Sequence, residues 1–168
     1  LESAGLSTGI GATIAGGYAL VLSATPSPAL AVLRLPLAGA VDAHALLGRA
    51  ALVGLAAHGA LYVAAWWVRG GPGDMWDELI AWQGSGVANL PGALSLAAAA
   101  VLLATAHNAI RRAFYTIFYA GHILGTLGFY LLGVMHATAV LYYCAPASVL
   151  WAAEAARRSL RARGSRVL

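Results

Sequence analysis

The chain has 168 residues, of which 61% are hydrophobic and 10% charged, and its mean hydropathy is +0.77. A soluble globular domain carries about 25% charged residues, so this composition excludes an ordinary soluble fold and fits a membrane protein. The formal charge of +4 comes from arginine with no lysine, and the arginines stand beside apolar runs, where they report membrane orientation and not nucleic-acid binding.

Apolar runs of ~20 residues recur, as transmembrane helices require. The first predicted span covers about 4–22 and is rich in glycine, with Gly9, Gly11, Gly16 and Gly17 placed to let another helix approach closely. Ser23 to Ala40, with Pro26, Pro28, Pro36 and Arg34, reads as an irregular connector. The second span is about 41–67, with Asp42 as its N-cap and Trp66 and Trp67 as interfacial anchors. Arg69 to Ala88 reads as a loop containing Gly70-Gly71-Pro72-Gly73 and the acids Asp74, Asp77 and Glu78. The third span is about 89–108, the fourth 113–137 and the fifth 139–156, with Pro146 near the start of the last. Residues 157–168 form an arginine-rich tail. The fold expected is all-α, a polytopic transmembrane helix bundle of about five spans. Cys144 stands alone, which excludes an internal disulfide or a cysteine-ligated cluster. No secretory signal peptide is expected from the residues given, and Leu1 in place of an initiator Met reads as a cut or processed end.

Arg34, the Arg111-Arg112 pair and the tail hold eight of the ten arginines, and two predicted spans separate each from the next. All three therefore fall on one side, which the positive-inside rule makes cytoplasmic. The acidic loop then faces outward, and the second and fourth spans run parallel.

Those two parallel spans carry four histidines in matched pairs. His44 and His58 are 14 residues apart, and so are His122 and His136. Fourteen helical residues turn through ~1400°, close to four full turns, and rise ~21 Å, so each pair lies on one face at two depths. Side by side, the helices make two stacked bis-His sites, His44 with His122 and His58 with His136. Neutral imidazoles are good axial ligands, and two of them saturate a haem iron and favour electron transfer over oxygen binding. Two haems ~21 Å apart would form a wire across a bilayer. Zinc prefers a close tetrahedral set, whereas these four residues split into two layers. Each histidine could instead be a hydrogen-bonded packing residue, and a haem-free scaffold or channel stays open, as does a single-haem quinol-linked subunit.

The neighbours of the histidines extend this reading. Arg49 lies five residues after His44 and needs an anionic partner if buried, for which a haem propionate would serve; snorkelling to the interface is the alternative. Arg111 and Arg112 mark topology or reach a propionate. Phe129 is midway between His122 and His136, on the electron path or in simple packing. His107 reads as a solvated interfacial residue.

The segments His44-Ala-Leu-Leu-Gly48-Arg49 and His58-Gly59-Ala-Leu-Tyr62 resemble the third transmembrane helix of the ferric reductase and NADPH oxidase superfamily. Ile110-Arg111-Arg112-Ala-Phe114-Tyr115, continuing through Phe118-Tyr119 to His122, resembles its fifth helix. The run from Pro146 to Arg163, with Trp151 and Glu154, is similar to its sixth. The resemblance implies that His44 and His122 ligate an inner haem b, and His58 and His136 an outer one. It implies electron flow from cytosolic NADPH through FAD to an outer acceptor, in the plasma membrane or an organelle membrane. No flavin or nicotinamide domain is found, so this chain is expected to be the membrane part of a longer reductase or a subunit that meets a separate flavoprotein; the missing first helix of the usual six agrees. Ferric chelate reduction is the favoured outer reaction; the acidic loop would attract cationic metal over anionic chelates, or is simply a solvated loop. Superoxide production by an NADPH oxidase is the alternative.

Overall fold

The computed structural model describes residues 1–23, 34, 36–82 and 88–164. They form six helices: α1 Glu2–Ser23, α2 Leu37–Ile80, α3 Asn89–Thr105, α4 Asn108–Ala113, α5 Tyr115–His136 and α6 Ala139–Gly164. No strand occurs among the described residues. Helices α1, α2, α5 and α6 are long and apolar enough to cross a membrane, and α3 is a shorter apolar helix of 17 residues. The chain is an all-α, multi-pass membrane protein. Most of the 23–40 connector, including Pro26 and Pro28, lies outside the described residues, as does Arg166.

Three expectations are corrected. Helix α2 begins at Leu37, where the Pro36 carbonyl accepts from the Ala40 N–H at 3.0 Å, so Asp42 lies inside the helix and does not cap it. Pro146 also lies inside a helix, since α6 runs unbroken from Ala139 to Gly164. The loop from Arg69 is largely helix. Gly71, at φ 74° and ψ −160°, breaks α2, and a new helical segment runs over 72–80. Pro72 suits its first position, where a missing N–H costs nothing. Asp74 follows in the first turn, where a carboxylate favours the positive end of the helix dipole.

That backbone conformation at Gly71 is open essentially to glycine alone, and forcing a side chain into it costs ~1–3 kcal/mol. Gly71→Ala is therefore expected to lower the melting temperature of the detergent-solubilised chain, followed by circular dichroism. An unchanged melt would show that the break is not fixed by this residue.

The chain divides into two compact units, one of Leu1–Gly9 with Gly54–Leu141 and one of Ile10–Val53 with Tyr142–Leu168. In the first, α3 packs along α5 through small residues. A Cβ on Gly121 would meet the Thr105 side chain at 2.8 Å, and one on Gly125 would meet Leu102 at 3.0 Å. Ser95, buried on α3, donates from Oγ to the Phe129 carbonyl at 2.9 Å. Such small-residue contacts and inter-helix hydroxyl bonds hold helices together where lipid removes the hydrophobic drive. Leu124, Leu127 and Leu131 of α5 stay exposed, an apolar surface suited to lipid.

In the second unit, Leu22 and Ala40 are buried, with Ala43 and Leu47 against them. A Cβ on Gly17 would meet the Tyr143 carbonyl at 3.4 Å and one on Gly16 would touch Ala51 at 3.9 Å, while one on Gly11 would have nothing within 4 Å. On α6, Glu154 is buried, and Arg157 donates to its Oε2 from Nε at 2.9 Å and from Nη2 at 2.7 Å.

Candidate functional site

His58 and His136 come together in the first unit, with ring centroids 6.1 Å apart and planes at 72°. His58 sits on the unbroken part of α2. Its Nδ1–H donates to the Gly5 carbonyl at 2.8 Å. Because a carbonyl only accepts, this bond assigns the proton to Nδ1 and leaves a lone pair on Nε2. Gly9 lies under the ring, where a Cβ would come within 2.6 Å of Nδ1. Tyr62, one turn along, meets His58 edge-on at 5.1 Å, and Trp66 continues the column at 5.8 Å from Tyr62. Trp66 is buried, so of the two tryptophans expected at an interface only Trp67 is exposed.

His136 is the last residue of α5. Its Nδ1–H donates to the Ala88 carbonyl at 2.9 Å, and the Ala88 N–H donates back to the His136 carbonyl at 3.2 Å. Here too a glycine lies beneath the ring, since a Cβ on Gly92 would fall 2.7 Å from Nδ1. Both imidazoles thus show one design: Nδ1 tied to a backbone carbonyl, a helix glycine below, Nε2 left as an acceptor.

His44 shares the tether in the second unit, its Nδ1–H donating to the Ala19 carbonyl at 2.8 Å. His122 lies on α5 in the first unit, one turn after Phe118, whose ring centroid is 5.4 Å from its own. Fourteen residues of continuous helix join His122 to His136, as they join His44 to His58.

Arg49, Arg111 and Arg112 are all exposed. Arg111 and Arg112 occupy the last turn of α4, where positive charge complements the helix dipole. His107 caps that helix, its Nδ1 accepting from the Ala109 N–H at 3.3 Å. Phe129 is half-buried, and its carbonyl is the acceptor for Ser95. The acids that were expected to present bare charge are partly neutralised. Arg69 pairs with Asp74 at 2.7 Å, Glu78 at 2.5 Å and Glu2 at 3.8 Å.

Four features of the site were not singled out from the sequence: the glycine seats, the carbonyl acceptors Gly5 and Ala88, the packing of Tyr62 on His58, and that of Phe118 on His122. The acceptors leave no sequence signal, since any residue has a carbonyl. The glycines were visible as glycines, but not as seats.

Residues 8–134 match the family described as "Ferric reductase like transmembrane component". The chain belongs to this family. The matched stretch contains His44, His58 and His122 and ends two residues before His136. Among curated proteins, the chain is similar to Ferric reduction oxidase 2 of Arabidopsis thaliana, 31% identical over 138 residues, which is 81% of this chain and 18% of that protein. It is also similar to that plant's chloroplastic Ferric reduction oxidase 7, 28% identical over 56% of this chain and 12% of the relative. A third is the mitochondrial Ferric reduction oxidase 3, 27% identical over 74% of this chain and 17% of the relative. The chain thus spans less than a fifth of the length of these relatives. No solved structure matches it significantly.

Proposed function

We propose that this chain is the membrane electron-transfer part of a ferric reductase, carrying electrons through two bis-His b-type haems to a ferric chelate. The observation that carries the reading is the His58–His136 pair. A metal ion held by both imidazoles through bonds of ~2 Å would set their ring centroids ~6 Å apart. The observed separation is 6.1 Å, and both Nε2 atoms keep their lone pairs. Tetrahedral zinc fits less well, because no group of three or more His, Cys, Asp or Glu lies together among the described residues.

In this reading His58 and His136 hold the outer haem, and His44 and His122 the inner one. When bound, each haem supplies one-electron chemistry. The protein's own work is orientation. The carbonyls of Gly5, Ala88 and Ala19 fix three imidazole tautomers and raise the basicity of the opposite ring nitrogens, as such partners do for metal-bound histidine. Arg49, Arg111 and Arg112 are candidates to meet propionates, and Phe129 stands between the two layers in sequence. The arginine-rich end faces the cytoplasm, where an FAD and NADPH domain or subunit would deliver electrons. The names of the relatives, all ferric reduction oxidases, support ferric reduction over superoxide production.

The test is the pyridine haemochrome ratio of the purified chain, followed by reduction with an artificial donor. Two haems b per chain and reduction of a ferric chelate are expected. A colourless folded protein would leave a scaffold, and superoxide as the sole product would make the chain the core of an oxidase.

A further inference from the structure

We propose that the first turn of α3 positions the outer ligand His136, and that Asn89 is the side chain through which it does so. This rests on reading His58 and His136 as one ligand pair. The two imidazoles take their acceptors from different kinds of backbone. Gly5 is helical, in the first turn of α1, whereas Ala88 is the N-cap of α3, extended at φ −100° and ψ 105° and without a side-chain cap bond. The place of the Ala88 carbonyl therefore depends on what holds the start of α3.

What holds it is the far end of the 72–80 helix. The Asn89 N–H donates to the Ala81 carbonyl at 3.1 Å, and the Leu90 N–H to the same oxygen at 3.5 Å. The Asn89 Nδ2 donates to the Glu78 carbonyl at 3.0 Å. A helix start has unpaired N–H groups and a helix end unpaired carbonyls. Here one set satisfies the other, and Asn89 is the side chain in the joint. Glu78 and Asp74 in turn grip Arg69 at the end of the helix that carries His58. A continuous set of bonds thus runs from the His58 helix, across the 72–80 segment, through Asn89 and Ala88 to the His136 ring. Pro91, fully buried, and Gly92 against that ring complete the turn. Loss of the Asn89 amide leaves His136 in place as a residue and loosens its acceptor, so the outer haem changes and the inner one does not.

The experiment uses the haem-loaded chain and the variants Asn89→Ala, Asn89→Gln, which keeps an amide donor, and, as a control, Asn108→Ala at the start of α4. Electron paramagnetic resonance of the oxidised protein reports each low-spin haem, and transfer to apomyoglobin reports its release. In Asn89→Ala, the signal missing from His136→Ala is expected to shift, and that haem to leave about tenfold faster, the scale seen when outer partners of metal ligands are removed. The second signal should stay, Asn89→Gln should move back towards the parent, and Asn108→Ala should match it. Both signals and both release rates unchanged in Asn89→Ala would overturn the proposal, and so would equal changes in both haems. A parent chain without paired low-spin haems would instead overturn the ligand reading beneath it. If Asn89→Ala does not fold, a parent-like outer signal in Asn89→Gln supports the amide's role and a shifted one refutes it.

Discussion

His58→Ala and His136→Ala are each expected to cut the haem content of the purified chain from two to one, and to abolish chelate reduction while the remaining haem is still reduced by an artificial donor. The rings stand 6.1 Å apart, so one iron would take both, and removing either leaves a single imidazole for a site built for two. His44→Ala and His122→Ala should also remove one haem each, and the survivor should carry the spectrum lost in the first two variants. His107→Ala is the control. That ring caps the exposed helix α4, so both haems should remain with only a small loss of stability. Two haems retained in either His58→Ala or His136→Ala would sink the pairing.

Gly9→Ala and Gly92→Ala should lose the same haem without touching a histidine. Their Cβ atoms would fall 2.6 Å and 2.7 Å from the Nδ1 of His58 and His136. Neither ring can simply turn aside, because each Nδ1 is held by a carbonyl. Either the tether breaks or the helices part, and overpacking of this kind costs ~1–3 kcal/mol. Gly11→Ala, with nothing within 4 Å, supplies the contrast. There the better helix propensity of alanine should add up to ~1 kcal/mol. Haem stoichiometry beside a melting curve separates the three variants. Full haem content in both Gly9→Ala and Gly92→Ala would mean that the glycines are not seats.

Most of the helical plan was legible in the sequence because lipid imposes a simple rule, ~20 apolar residues for each crossing. That His44 and His58 share one helix, and His122 and His136 another, was legible for a related reason: a 14-residue spacing has one meaning on a helix and none on a loop. The errors fall where a local signal had two readings. Gly70-Gly71-Pro72-Gly73 reads as a turn, yet Pro72 equally opens a helix, and the acids after it favour that helix through its dipole. Asp42 is a good cap residue that the chain does not use, since α2 starts a turn earlier, at Leu37. The acidic loop was read by composition, which could not show Arg69 reaching across Gly71 to Asp74 and Glu78. The α3–α5 seam hides in plain glycines. Gly121 and Gly125 look like the glycines of α1, and only the packing shows that they admit Thr105 and Leu102.

The Glu154–Arg157 pair, its carboxylate buried and its guanidinium half-buried, governs how α6 floats. An apolar helix can slide along its own axis at little cost until something charged meets the hydrocarbon. Glu154 ends the apolar stretch of α6, and its charge is answered within one turn by Arg157. A neutral couple can sit at the boundary. Arg158 and Arg161, next along the helix, cannot follow it inward, since an arginine at mid-bilayer costs ~2.5–3.5 kcal/mol even on insertion scales. Sliding outward would draw the preceding apolar residues into water instead. The pair marks the waterline of α6, and the helix is held at one draught.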